Sequence, residues 1–171
     1  MNSYLLTGGS RSGKTSYALE LAESAEKPFY IATGWVPEGD EEMLDRIEKH
    51  QAERGEHWHT IEEQTNLIKA ISNAVENNAD CIIVDCLTFW TSNLMFSEEL
   101  EYNNEVDKLI DFIPTIKTKL IFVTNEVGSG IVPENKLGRE FRDLAGFLNQ
   151  KIAKVADNVI AVISGIPLKL K

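Results

Sequence analysis

Residues 8–15, GGSRSGKT, match the pattern G-x-x-x-x-G-K-[ST] through Gly8, Gly13, Lys14 and Thr15. The pattern constrains the fold because it works only between a strand that enters it and a helix that leaves it. Both flanks are legible: the apolar run YLL precedes the loop and TSYALELAESA follows it. In that setting the backbone N–H groups of Gly8, Gly9, Ser10, Arg11, Ser12, Gly13, Lys14 and Thr15 turn inward on a chain of phosphates. The following helix adds its positive N-terminal end. Lys14 brings a mobile charge to the outer phosphates, and the Thr15 hydroxyl is a ligand for Mg²⁺. A second metal contact is expected from an acidic residue at the end of a neighbouring strand, and Asp85, closing CIIVD, is the candidate. The competing reading is a chance glycine turn, with Asp85 only capping the next helix. Strand, loop, helix and distal aspartate together favour a site for a nucleoside triphosphate with Mg²⁺.

Strand-length apolar runs recur at 3–8, 29–33, 81–86, 119–125 and 158–164, with helix-length segments at 14–26, 40–54, 63–78, 103–113 and 138–156. Near-continuous apolar strands alternating with helices predict an α/β fold, a mostly parallel sheet covered on both faces. The tail PLKLK alternates and suits an added edge strand, while 34–40 reads as a loop. No repeat or linker divides the chain, so residues 1–171 are expected to form a single P-loop nucleotide-binding domain.

A net charge of −10 argues against nonspecific nucleic-acid binding and against an anionic membrane surface. An anionic ligand then needs local positive groups. Cys81 and Cys86 are about 16 Å apart along an extended chain, beyond disulfide reach, so both are expected as free thiols of a reducing compartment. No apolar run approaches the ~20 residues of a spanning helix, and no signal-like segment opens the chain. A cytoplasmic location without membrane insertion is the expectation.

The segment 40–54, DEEMLDRIEKHQAER, has a thin apolar stripe of Met43, Leu44, Ile47 and Ala52. Its other face stacks Glu42, Arg46, His50 and Arg54 at four-residue steps. By themselves these residues describe a solvated helix with Glu–Arg pairs. The guanine-reading NKxD of a switch GTPase is absent, and VTNE at 123–126 is only superficially similar. Arg139 and Arg142 share one face of LGREFRD and suit either a kinase lid or surface ion pairs, the latter being favoured.

Six segments taken together resemble one family. They are TGGSRSGKT (7–15), YIATG (30–34), DEEMLDRIEKHQAERGEHWHTIE (40–62), DCLTFWTSNL (85–94), the block from 123 to 159 containing NEVGSGIVPEN, and SGIPLKLK (164–171). They resemble the bifunctional adenosylcobinamide kinase/adenosylcobinamide-phosphate guanylyltransferases of cobalamin biosynthesis. NEVGSGIVPEN is the most specific of them, since no general requirement of a phosphate loop dictates it. Gly55 departs from the family's RPxxW, which has proline at that point.

The resemblance implies a RecA-like P-loop fold and two reactions. Adenosylcobinamide is phosphorylated with ATP or GTP. GMP then passes from GTP through a GMP–histidine intermediate to adenosylcobinamide phosphate, giving adenosylcobinamide-GDP and pyrophosphate. The family's RIxxH pattern makes His50 the nucleophile, with Arg46 and Arg54 one turn to either side stabilising the phosphoryl charge. His57 and His59 fall outside that face and read as structural or surface groups. The resemblance also assigns Ala32, Thr33, Gly34, Gln51, Ala52, Glu53, Arg54, Glu62 and Asp85 to the GTP site, and it implies a homotrimer. Two other readings keep the loop but not both reactions: a small-molecule kinase in which His50 is incidental, and a nucleotide-dependent switch without a small-molecule substrate. Gly128 and Gly130, before Pro133, suit either backbone approach to a ligand or neighbouring subunit, or a tight strand-to-helix connection.

Overall fold

The computed structural model describes residues 2–35, 55 and 57–171. The chain enters through β1 (Ser3–Thr7), passes the loop into α1 (Lys14–Leu21) and returns through β2 (Pro28–Ala32). There follow β3 (His59–Glu62), α2 (Leu67–Glu76), β4 (Cys81–Asp85), α3 (Leu87–Met95) and α4 (Tyr102–Phe112). The order closes with β5 (Lys119–Val123), α5 (Lys136–Val155), β6 (Asn158–Ile163) and β7 (Ile166–Lys169). The sheet runs β3-β2-β4-β5-β1-β6-β7. Every neighbouring pair is parallel except β6 with β7, which are joined by a hairpin.

Strand alternation splits the core into two layers. Leu5, Phe29, Ile31, Ile82, Val84, Leu120 and Phe122 point to one face, where Leu67 and Ile71 of α2, Trp90 and Leu94 of α3, Leu109 of α4 and Leu148 and Ile152 of α5 cover them. Leu6, Tyr30, Ile83, Ile121, Val123, Ile160 and Val162 point to the other, against Ala18 of α1 and Ala22, which caps its end. Central strands buried on both sides explain the continuous apolar runs in the sequence. Helix starts are set by side chains that accept orphan amides: Asn66 from Lys69 N, Glu101 from Asn104 N, and Asn135 from Gly138 N. Ser3 and Asp157 fasten the start of β1 to the entry of β6, with Ser3 Oγ donating to Asp157 Oδ2 at 2.8 Å and accepting from Asp157 N at 3.0 Å.

Two elements differ from the expected pattern. Helix α3 was not anticipated, because LTFWTSNLM is apolar without a clean stripe. Leu87, Trp90, Thr91 and Leu94 are all buried, and the Thr91 hydroxyl is satisfied by Leu87 O inside the helix. Strand β3 was missed because HTIE carries one apolar residue. It is an exposed strand at the edge of the sheet, and among the described residues it pairs with β2 alone. The expected strand in PLKLK is present as β7.

Cys81 and Cys86 are free, and both are buried. Burial is the main cause that pushes the Cys81 thiol up to about 11 and the Cys86 thiol up to about 12. Both values stand above the ordinary 9.0, so the fold's preference for neutral thiols is complete below about pH 9 and drains away as pH rises toward 11–12. A thiol-reactive disulfide reagent at pH 8 should therefore label neither cysteine in the native protein and both in denaturant. Rapid native labelling would show that one is accessible.

Candidate active site

Because the strands are parallel, their carboxyl ends line one edge of the sheet, where ligands of such folds bind. The loop leaves β1 at that edge. Gly8 has φ +152°, and a Cβ there would collide with the carbonyl oxygen of Val162. Gly13 caps α1 at φ +96°, and a Cβ there would lie 3.2 Å from Gly165 Cα. Gly165, in the β6–β7 turn, donates its N–H to Ser12 O at 2.8 Å. The loop is thus braced from β6 and its hairpin. Inside it the Lys14 ammonium is buried and donates to Gly8 O at 3.0 Å and Gly9 O at 2.6 Å. Gly9, Ser10 and Arg11 are exposed along the outer rim, with Ser12 half-buried behind them.

Thr15 and Asp85 come together across the sheet edge. Thr15 Oγ1 donates to Asp85 Oδ2 at 2.8 Å, and Tyr30 OH donates to the same oxygen, also at 2.8 Å. A hydroxyl and a carboxylate, both hard oxygen ligands, meet beside the phosphate loop, and this pair suits Mg²⁺, which takes few protein ligands and keeps waters. Tyr30 was not singled out from sequence. It sits on β2, buried, on the α1 face, its ring edge-on to Trp58 at 6.2 Å. Its signal is a phenol in an otherwise apolar buried strand, a group that needs a partner for its hydroxyl.

Ala32, Thr33, Gly34 and Glu62 stand at the same edge, at the exits of β2 and β3, and Ala32 pairs with Glu62 in register. Thr33 is fully buried, and its hydroxyl both donates to Cys86 O and accepts from Cys86 N. Thr33 therefore pins this exit while Ala32 and Gly34 flank it. Asn93 of α3 bridges the two exits, its Nδ2 donating to Thr33 O at 2.8 Å and Gln64 O at 2.9 Å. No spacing rule marks Asn93; it is recognisable only once α3 is placed.

On the loop's other flank, Glu126 follows β5. Its backbone N–H donates to Gly8 O at 3.1 Å, and its Oε1 accepts from Thr7 Oγ1 at 2.7 Å and from Asn149 Nδ2 at 3.2 Å. Arg139 is committed to the segment before α5, donating to Pro133 O and Glu134 O, an arrangement unlike a free lid. Arg142 Nη1 is buried, with no hydrogen-bond partner among the described residues. Gly128 and Gly130 lack positive φ, and a Cβ at Gly128 would meet no atom of the described residues within 4 Å, so nothing among the described residues requires glycine at Gly128.

Arg46, His50, Gln51, Ala52, Glu53 and Arg54 lie outside the described residues. Gly55 has φ +75°, which proline cannot adopt, so the departure from RPxxW changes the local backbone. His59 is exposed on β3 and stacks on Phe29 at 4.8 Å between ring centroids, and His57 tilts against Trp58.

The fold and loop are those of P-loop proteins. Solved structures similar in fold include the assembled ATPase EscN of the enteropathogenic E. coli type III secretion system, with a TM-score of 0.61 at 9% identity over 95% of this chain and 43% of that one. A KaiC-like protein from Pyrococcus horikoshii has a TM-score of 0.52 at 21% identity over 94% of this chain and 70% of that one. Likeness in sequence is much stronger elsewhere. The bifunctional adenosylcobalamin biosynthesis protein CobU of Salmonella typhimurium is 40% identical over 98% of each chain, and that of Escherichia coli 39% over 98% of each. CobP of Pseudomonas aeruginosa is 38% identical over 98% of this chain and 96% of its own. The family model described as cobinamide kinase / cobinamide phosphate guanyltransferase matches residues 4–170, and the chain belongs to that family.

Proposed function

We propose that one domain spanning residues 1–171 carries both family reactions on adenosylcobinamide. The observation that carries this reading is the family match from residue 4 to residue 170. The buried Lys14 inside its loop and the Thr15–Asp85 pair support it, being the parts a triphosphate site requires. In the first reaction the terminal hydroxyl oxygen of the aminopropanol arm attacks the γ-phosphorus of ATP or GTP, and the nucleoside diphosphate leaves. In the second the His50 imidazole attacks the α-phosphorus of GTP, pyrophosphate leaves, and GMP stays on nitrogen. An oxygen of adenosylcobinamide phosphate then attacks that phosphorus and frees the imidazole, giving adenosylcobinamide-GDP.

Loop amides from Gly8 to Thr15 and the Lys14 ammonium hold the phosphates. Arg46 and Arg54, four residues either side of His50, offset charge on the transferring phosphoryl group. Ala32 to Gly34, Gln51 to Arg54 and Glu62 form the remainder of the nucleotide site. Thr15 and Asp85 would hold Mg²⁺, which supplies charge neutralisation at the phosphate oxygens. Protein incubated with α-labelled GTP should acquire acid-labile label, and His50→Ala should abolish it. Label that persists in the variant rejects His50 as nucleophile. Phosphorylated cobinamide accumulating without a GDP adduct in excess GTP would favour a kinase alone.

Lys14→Ala should slow both half-reactions, by about 10²-fold or more if one cradle serves both. Loss of the kinase step alone, in assays of each half-reaction, would mean separable nucleotide sites.

We assign the active form as a homotrimer working in the cytoplasm. Ile131 is 94% exposed, its neighbour in sequence Val132 is exposed as well, and so is Leu137 at the start of α5, apolar groups that an interface could cover. The buried free thiols accord with a reducing compartment. Among the described residues no helix is long and apolar enough to cross a membrane. Sedimentation equilibrium should give three times the 19.2 kDa chain mass, and a monomer at micromolar concentration would refute the assembly.

A further inference from the structure

Glu126 is a carboxylate tied directly to the phosphate loop, and nothing in the triphosphate chemistry described so far uses it. Strand β5 lies between β1, which carries the loop, and β4, which carries Asp85. Residues 124–126 leave β5 at the carboxyl edge of the sheet, between the two. The Gly8 carbonyl oxygen accepts from the Lys14 ammonium at 3.0 Å and from the Glu126 backbone N–H at 3.1 Å. Glu126 is therefore two hydrogen bonds from the charge that meets the outer phosphates.

The side chain is oriented by two donors on one oxygen. Thr7 Oγ1 and Asn149 Nδ2 both donate to Oε1. Asn149 is itself held by Thr124 Oγ1, which donates to its Oδ1 at 2.8 Å and so turns its amide nitrogen toward the glutamate. The residue is exposed, and Oε2 has no hydrogen-bond partner among the described residues. Asp85 differs, because its Oδ2 is occupied by Thr15 and Tyr30. A negative charge beside a triphosphate site opposes binding. If fastening the loop were the only requirement, glutamine would accept the same two hydrogen bonds without that repulsion. A fixed carboxylate with one open oxygen in this place is the arrangement of a general base.

We propose that Glu126 is the proton acceptor of the phosphorylation step, with Thr7 and Asn149 as its positioning residues. The assignment rests on the kinase reading above. As the hydroxyl oxygen bonds to the γ-phosphorus, the bond from that phosphorus to the β–γ bridging oxygen breaks. The nucleoside diphosphate leaves with the electron pair, and the hydroxyl proton passes to Glu126 Oε2 and on to solvent. Guanylyl transfer to a phosphate acceptor has no hydroxyl proton to remove and does not use this group.

The test compares the full-length protein with Glu126→Gln, which keeps an oxygen acceptor for Thr7 and Asn149 but cannot take a proton. Two rates are measured: phosphorylation of cobinamide by GTP, and GMP transfer from GTP to cobinamide phosphate supplied ready-made. Expected is a fall of about 10²–10⁴-fold in kcat for phosphorylation, with KM for GTP and the transfer rate within a few fold of wild type. Glu126→Asp, which keeps the charge one methylene short, is expected to retain more kinase turnover than Glu126→Gln. Wild-type phosphorylation by Glu126→Gln overturns the assignment. So does equal loss of both rates, which is the mark of a purely structural role, and so does equal kinase loss in the two variants. A wild-type protein that phosphorylates no cobinamide while the folded chain binds GTP defeats the functional reading itself, and the assignment with it.

Discussion

The phosphate loop can display its amides only because β6 approaches it more closely than any side chain would allow. Gly8 rests against the Val162 carbonyl and Gly13 against Gly165, and the Ser12 carbonyl takes the Gly165 amide. Two glycines with positive φ face a strand and its hairpin turn, so the loop is shaped by the far end of the chain as much as by its own sequence. An alanine at Gly8 would have to displace main chain, which cannot yield as a flexible side chain can. The β6–β7 hairpin, which looks peripheral, is in this sense part of the nucleotide site.

A chain of net charge −10 has to concentrate positive potential where it meets an anion. Among the described residues, the phosphate loop offers the buried Lys14 ammonium, the exposed Arg11, its backbone amides and the N-terminal end of α1. The carboxylates allowed nearby are individually restrained. Asp85 is held by two hydroxyls, and Glu126 by a hydroxyl, an amide and its own backbone. Hydrogen bonds to charged groups are worth about 1.5–3 kcal/mol each, enough to keep either side chain from turning away. The resulting edge places one acid on each flank of β5, a division that suits one for metal and the other for protons.

The exit of β2 shows how side-chain pins set a ligand edge. The Thr33 hydroxyl and the Asn93 amide nitrogen join the ends of β2, β3 and β4. Neither needs to touch a ligand for the geometry of Ala32, Gly34 and Glu62 to depend on them. Burial of Trp90 beneath this corner, with its indole nitrogen donating to Thr65 O, fixes α3 against it.

Much of the architecture was legible in the residues. Apolar runs of strand length, buried on both faces, required helices above and below a parallel sheet, and a glycine-lysine loop between strand and helix located the phosphate site. What escaped was whatever lacked a period: α3, apolar on too many sides to show a stripe, and β3, a polar edge strand with one apolar residue. The long segment identities carried the family, because NEVGSGIVPEN is dictated by no general rule. The loop motif and the strand-end aspartate already nominated Thr15 and Asp85 as partners, and they meet across 70 residues of chain, but spacing alone could not bring Tyr30 to the same oxygen. Nor could it seat Glu126 on Gly8 from 118 positions away in the chain. Periodicity and local turn chemistry are short-range and are written in order along the chain. Which polar groups share an oxygen at the sheet's edge follows only from strand order, and strand order is settled by packing the whole core at once.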